Sequence, residues 1–257
     1  FKKNFFFFHL LKKKYHLCVV LDGKKRSILS SIVVRSNNRV LLTTKKYYKK
    51  FFIFFFISII HSKTYKSKIE EIKKILNILS FNFKEEDLNI LSNEDSLFDK
   101  YINLPTMYAL FHFDEKLIKG KYVNAYTDIE PTVKELIFFL KNLVEKTDFD
   151  LVVTTGEFSN AIVDQLKYFF TQHSKNNFRL VHKNRTIMLI TCLPFLSLGY
   201  IVSKSNLTIG CHGATSHLAS AYNIKTIDIY EESEKLSYGK WNAHFRNYTP
   251  IYRKKFS

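Results

Sequence analysis

With 257 residues the chain is long enough for two modest domains. Its hydrophobic share of 46% suits a protein with a buried core, and Cys18, Cys192 and Cys211 stand too far apart for a disulfide framework or a cysteine zinc site, which fits a reducing compartment. The formal net charge of +17 favours anionic partners, but the lysines come in short scattered runs without a zinc-finger or RNA-binding signature, so nucleic acid is not expected.

The 25 phenylalanines and 15 tyrosines reflect an AT-rich coding bias more than a functional demand. In chain order, Phe5–Phe8 is too short to be a signal peptide. Leu17–Leu21 reads as a buried strand ending in the turn signal Asp22-Gly23, Arg26–Val34 as a helix and Arg39–Thr43 as a second strand. The run Phe51–Ile60 is about half the length a membrane span needs. It reads as a buried α/β segment, with a membrane-docking surface flanked by Lys49, Lys50 and Lys63 as the alternative. Apolar residues at Ile69, Ile72, Ile75, Leu76 and Leu79 predict an amphipathic helix over Lys66–Leu79. Polar residues from Ser80 to Leu104, including the loop Asn93–Ser96, form the candidate linker, which places the domains at 1–104 and 105–257.

The second half alternates more cleanly. Strands are expected at Met107–Phe113, Asp150–Thr154, Ile187–Thr191, Asn206–Gly210 and Lys225–Tyr230. Helices are expected after Pro131, over Ile162–Phe170, at Pro194–Ser203 and at Thr215–Tyr222. This rhythm specifies parallel sheets flanked by helices. Such sheets bind ligands beyond the carboxyl ends of their strands, which directs attention to residues 112–116, 154–157 and 210–217.

The segment Ile209-Gly-Cys-His-Gly-Ala-Thr-Ser-His-Leu-Ala-Ser220 is a strand, a small-residue turn and a helix start. Small residues allow close backbone approach, and helix-head amides favour an anion. The amides of Gly213, Ala214 and Thr215 are therefore candidate diphosphate donors, and His217 lies in the first helical turn. An ordinary tight turn with His217 filling a groove explains the same spacing. His212 and His217 do not share a helical face and have no obvious third ligand, so no metal is expected.

Ser216-His-Leu-Ala219 after a strand and turn resembles the donor-site signature of the ADP-heptose:lipopolysaccharide heptosyltransferases, glycosyltransferase family nine, in which Asp-Thr-Gly-x-x-His-Leu-Ala-Ala follows a strand. His212, Gly213 and Ala214 stand where that pattern has Asp, Thr and Gly. Phe111-His-Phe-Asp-Glu-Lys116 resembles the family's strand before Asp-Asp-Lys, and the resemblance implies that Lys116 contacts the donor's phosphates while Asp114 and Glu115 position the loop. Thr154-Thr-Gly-Glu157 is similar to the family's strand–Gly–acidic turn, which implies that Glu157 holds the ribose. Tyr15–Gly23 followed by Arg26-Ser27 matches a further family unit more loosely. The family's catalytic aspartate follows an opening strand and Gly-Asp turn, so the resemblance places the base upstream of Phe1 and leaves the first domain incomplete.

The resemblance implies two Rossmann-like domains of the GT-B type and an inverting sugar transfer that needs neither metal nor cofactor. The donor is an ADP-heptose-like nucleoside diphosphate-sugar, and the acceptor is a lipid-linked saccharide such as a lipopolysaccharide core. The implied location is cytoplasmic, with a basic surface suited to peripheral contact with the inner face of an anionic membrane. Two other classes compete: a catalytically inactive binding module of the same fold, suggested by His212, and a charge-driven binder of membranes or nucleic acid.

Overall fold

The computed structural model describes residues 13–21, 23–45, 48, 52–61, 67–82, 84, 103–118, 131–157 and 160–253. The Phe5–Phe8 run, Asp22, residues 49–51, Lys63 and most of the expected linker, including Asn93–Ser96, lie outside the described residues. The chain divides into two compact units, Phe1–Glu85 and Glu86–Ser257.

In the first unit, β1 (Tyr15–Val20), β2 (Ser36–Thr43) and β3 (Ser58–His61) form a parallel sheet in that order. Helix α1 (Lys25–Val33) joins β1 to β2, and α2 (Lys68–Ile78) follows β3. Val20, Ile28, Leu41 and Phe56 pack in one apolar cluster, and Val40, Leu42, Ile60 and Ile75 in another. The turn after β1 needs Gly23: its φ is +58°, and a β-carbon there would lie 2.9 Å from the Leu42 carbonyl oxygen. Ser67 caps α2 by accepting from the Glu70 amide at 3.2 Å.

The expectation that Phe51–Ile60 is a buried segment needs correction. Phe56 and Ile60 are buried, but Ile53, Phe54, Phe55 and Ile57 are exposed, Phe54 by 91%. The stretch before β3 is a turn leading to an edge strand, so nothing in its own sheet covers those side chains.

The second unit is built on an eight-stranded sheet. Its strands are β4 (Tyr108–Phe113), β5 (Asp150–Thr155), β6 (Thr171–Ser174), β7 (Asn177–His182), β8 (Arg185–Ile190), β9 (Leu207–Cys211), β10 (Lys225–Glu231) and β11 (Tyr248–Arg253). Their spatial order is β11-β10-β9-β4-β5-β8-β7-β6. All pairings from β11 to β8 are parallel, and β6 and β7 add an antiparallel edge. Starting from β4, the chain fills one side through β5 and β8, then returns to fill the other through β9, β10 and β11. This is the doubly wound order, and the direction reverses between β4 and β9.

Helices cover both faces of this sheet. On one, α3 (Val133–Glu145) and α4 (Ala161–Leu166) place Leu136, Leu140, Val144 and Val163 against Phe111, Leu151 and Leu189. On the other, α5 (Phe195–Lys204) and α6 (Ala214–Ala221) place Leu198, Ile201 and Leu218 against Leu110, Val152 and Met188. Period-two alternation along β4, β5 and β8 feeds both clusters, and burial on both faces explains why these strands are nearly continuous apolar runs. Pro131 precedes the N-cap of α3, where Thr132 and Glu135 form a reciprocal capping box. In this unit strands β6, β7 and β11 and helix α7 (Lys235–Asn242) were not anticipated.

Leu140 is fully buried between α3 and the sheet. Leu140→Ala is expected to cost about 2–5 kcal/mol in urea unfolding, through lost transfer free energy plus a residual cavity. Leu236→Ala, on a side chain 86% exposed, is expected to change stability by less than about 0.5 kcal/mol. Equal effects from the two would contradict this packing.

Candidate functional site

The loops after β4 and β9 meet at the point where the sheet reverses its winding. His112, near the end of β4, lies opposite Gly210 of β9 in the parallel register. After β4 the chain tightens into a 3-10 turn at Glu115–Leu117, which carries Lys116 back over the edge. Asp114 fixes that turn: its Oδ1 accepts from the Lys116 amide at 2.8 Å, and its Oδ2 lies 3.8 Å from Lys116 Nζ. The side chain of Glu115 lies outside the described residues.

Lys116 is buried, at 7% exposure, although a lysine normally keeps its ammonium in water. Its Nζ donates to the His212 carbonyl at the end of the β9 loop. Gly213 makes room for it, since a β-carbon there would lie 3.1 Å from Nζ. The two loops expected to share a ligand are therefore in direct contact.

Beneath them lies a buried polar network. His212 Nδ1 is 2.8 Å from Asp228 Oδ2, and Ser216 Oγ donates to Asp228 Oδ1 at 2.6 Å. Ser216 Oγ in turn accepts from the Gly213 amide at 3.2 Å. Asp228 sits on β10, opposite Gly210 of β9, and is almost completely buried. One carboxylate thus holds the histidine ring and, through a serine, the head of α6. The Gly213 amide is occupied by this arrangement, so the helix-head donors that remain are the amides of Ala214 and Thr215, which have no acceptor within their own helix. Such amides and the helix dipole favour an anion.

His217 projects from the first turns of α6 into an aromatic cluster. Its ring centroid lies 5.4 Å from that of His212, 5.1 Å from Phe245 and 6.4 Å from Trp241, while the ring of Tyr238 on α7 lies tilted against His212 at 4.4 Å. Burial, reinforced by nearby His212 and His244 and opposed by Asp228, lowers the His217 pKa to about 4. His217 is therefore a neutral imidazole at neutral pH. His112 Nδ1 is 3.0 Å from Thr154 Oγ1, and burial lowers its pKa too, with Asp114 opposing and Lys116 adding to the effect.

Of the residues singled out in sequence, Lys116, His212, Gly213, Ala214, Thr215 and His217 come together at this edge. Glu157 stands exposed just past β5, the other neighbour of β4, and no hydrogen bond or ion pair among the described residues joins it to Lys116. Asp228, Ser216, Tyr238, Trp241 and Phe245 were not foreseen. Asp228 carried one usable signal: an aspartate inside the apolar strand Lys225–Glu231 needs a buried partner.

Among the described residues, no group of three or more His, Cys, Asp or Glu side chains is placed to hold a metal ion. Among them, too, no helix is long and apolar enough to cross a membrane. The three cysteines are free, and burial pushes the Cys211 thiol up to about 12.

A doubly wound unit with its donors at the switch point, preceded by a smaller parallel α/β unit, defines a GT-B type of fold. The sequence matches no model of a known family and no curated protein. Solved structures do share the fold. One is a glycosyl transferase family 9 protein from Veillonella parvula DSM 2008, with TM-score 0.57 and 12% identity over 96% of this chain and 65% of that one. Another is the UDP-GlcNAc 2-epimerase from Methanocaldococcus jannaschii, with TM-score 0.53 and 11% identity over 96% of this chain and 68% of that one. The chain thus spans a little less than two thirds of the family 9 structure's length.

The depressed His217 pKa has a defined consequence for stability. Between about 6.5 and about 4 the unfolded chain takes up a proton at this imidazole that the folded chain refuses. Its contribution is full above pH 6.5 and is lost as the pH falls towards 4. Urea unfolding across this range is expected to show a slope that His217→Phe reduces. A His217 ring titrating near 6.5 by NMR would contradict this environment.

Proposed function

We propose that the chain is the donor-binding part of a glycosyltransferase that moves a heptose-like sugar from a nucleoside diphosphate-sugar to a lipid-linked saccharide, with inversion and without a metal. One observation carries the reading: the Lys116 ammonium and the head of α6 meet at the switch point between β4 and β9. A diphosphate seated there would accept hydrogen bonds from Lys116 Nζ and from the Ala214 and Thr215 amides. As the bond from the anomeric carbon to the diphosphate breaks, negative charge grows on the departing oxygen, and these donors would stabilise it. A cation and a helix dipole would then do the work that a divalent ion does elsewhere.

The roles assigned to His212 and Glu157 are part of the same proposal. His212 would face the donor with its ring fixed through Nδ1 by Asp228, and Glu157 would accept the ribose hydroxyls in the manner of dinucleotide-binding sites. The attacking acceptor hydroxyl needs a base, and we assign that base to none of the residues at this edge. The net charge of +17 and the exposed Ile53, Phe54, Phe55 and Ile57 support an acceptor held at an anionic membrane face, and on this reading the protein would act on the cytoplasmic side. A non-catalytic nucleotide-sugar-binding module is the second reading, favoured by an imidazole at His212 where the resembled signature has a carboxylate.

A thermal-shift screen of ADP, UDP and their sugar conjugates tests the site. At least one is expected to raise the melting temperature by a few degrees. Lys116→Met, which keeps the bulk and removes the charge, is expected to weaken that ligand about ten- to a hundredfold, the equivalent of about 1.5–3 kcal/mol for a charged hydrogen bond. Sugar release or transfer from the bound donor would favour the enzyme, and binding without turnover the module. No response to any of the four, or full affinity in Lys116→Met, would overturn the site.

A further inference from the structure

The order of the strands dictates how an elongated ligand can lie along this edge. From one side to the other come Glu157 after β5, Lys116 after β4, the Gly213 turn after β9, and the segment after β10 that forms α7. A ligand with its diphosphate over the middle pair has one end directed towards Glu157 and the other towards α7. A carboxylate suits ribose hydroxyls, so the nucleoside belongs at the β5 end. The group at the other end is then the sugar.

The α7 end has the surface that a sugar needs. Tyr238 and Trp241, three residues apart, occupy one face of α7. Tyr238 lies tilted against His212, while Trp241 stands nearly perpendicular to His217 and remains 46% exposed. An indole held at the rim of a polar site presents a rigid apolar face beside hydrogen-bonding groups. Pyranoses have the complementary character, with C–H groups on their faces and hydroxyls around their edges. The neutral imidazole of His217, beside the indole, has one nitrogen to donate and one to accept.

Resting on the donor-site reading above, we propose that Trp241 and His217 form the sugar-binding end of the site, the indole receiving the C–H face of the transferred sugar and the imidazole one of its hydroxyls. The nucleoside lies at the opposite end, towards Glu157. Trp241 would therefore govern preference for the sugar conjugate over the bare nucleoside diphosphate.

Trp241 is the single tryptophan of the chain, so indole fluorescence, excited beyond the tyrosine absorption band, reports on this end alone. Emission would be followed while ADP, ADP-glucose, UDP and UDP-N-acetylglucosamine are titrated, with affinities measured in parallel by calorimetry. For the nucleotide that binds, the sugar conjugate is expected to change the emission at least twofold more than the bare diphosphate. The ratio of the two affinities should fall about fivefold or more in Trp241→Ala and by less in Trp241→Phe. Equal emission changes from both ligands would show that the indole does not meet the sugar and overturn the proposal. So would calorimetric binding of the conjugate with silent emission and an unchanged affinity ratio in Trp241→Ala. Absence of binding by all four would remove the donor site itself, a failure distinct from binding at the wrong end.

Discussion

A buried ammonium must find acceptors, and the position of Lys116 turns on that requirement. It reaches across from the β4 loop to the His212 carbonyl on the β9 loop, with Asp114 beside it. That contact pins together two loops that are remote in sequence, at the place where the sheet changes direction. It also leaves a positive charge beside Gly213, at the head of α6. In a wet site the ammonium would be screened and mobile. In a largely desolvated one its field acts at close range on whatever anion displaces the carbonyl.

The other side of the same turn is held by a carboxylate. Asp228 engages His212 and Ser216 together, and Ser216 ties down the Gly213 amide. A buried carboxylate is costly unless every lone pair is used, and here the two oxygens each have a partner. The turn after β9 is thus fixed from below by Asp228 and gripped from above by Lys116. Preorganisation of this kind lowers the cost of ordering donors around an incoming phosphate.

The fold of the second unit was largely legible in the sequence because its strands are buried on both faces and its helices have apolar stripes. Leu110, Val152 and Leu140 announce themselves by type and spacing. The hairpin β6–β7 escaped because it is an exposed antiparallel edge with only Phe178 buried, although the left-handed Lys183 and Asn184 mark a tight turn between β7 and β8. Helix α7 escaped because Leu236 is exposed, and what holds it is aromatic contact with two histidines rather than an aliphatic stripe. In the first unit the Phe-rich run misled, since apolar composition alone does not say which side chains a neighbouring strand will cover. Of the site, Lys116 and the Gly213 turn were readable from strand ends and small residues. The role of Asp228 was not, because it depends on a register that places β10 beside β9.

The donor site requires one anion to be shared by an ammonium and a helix head, and a crystal structure with a bound nucleoside diphosphate tests that directly. The expected result is a diphosphate within hydrogen-bonding distance of both Lys116 Nζ and the Ala214 or Thr215 amide, with Lys116 released from the His212 carbonyl. A diphosphate bound at another edge of the sheet, with Lys116 still on that carbonyl, would contradict it.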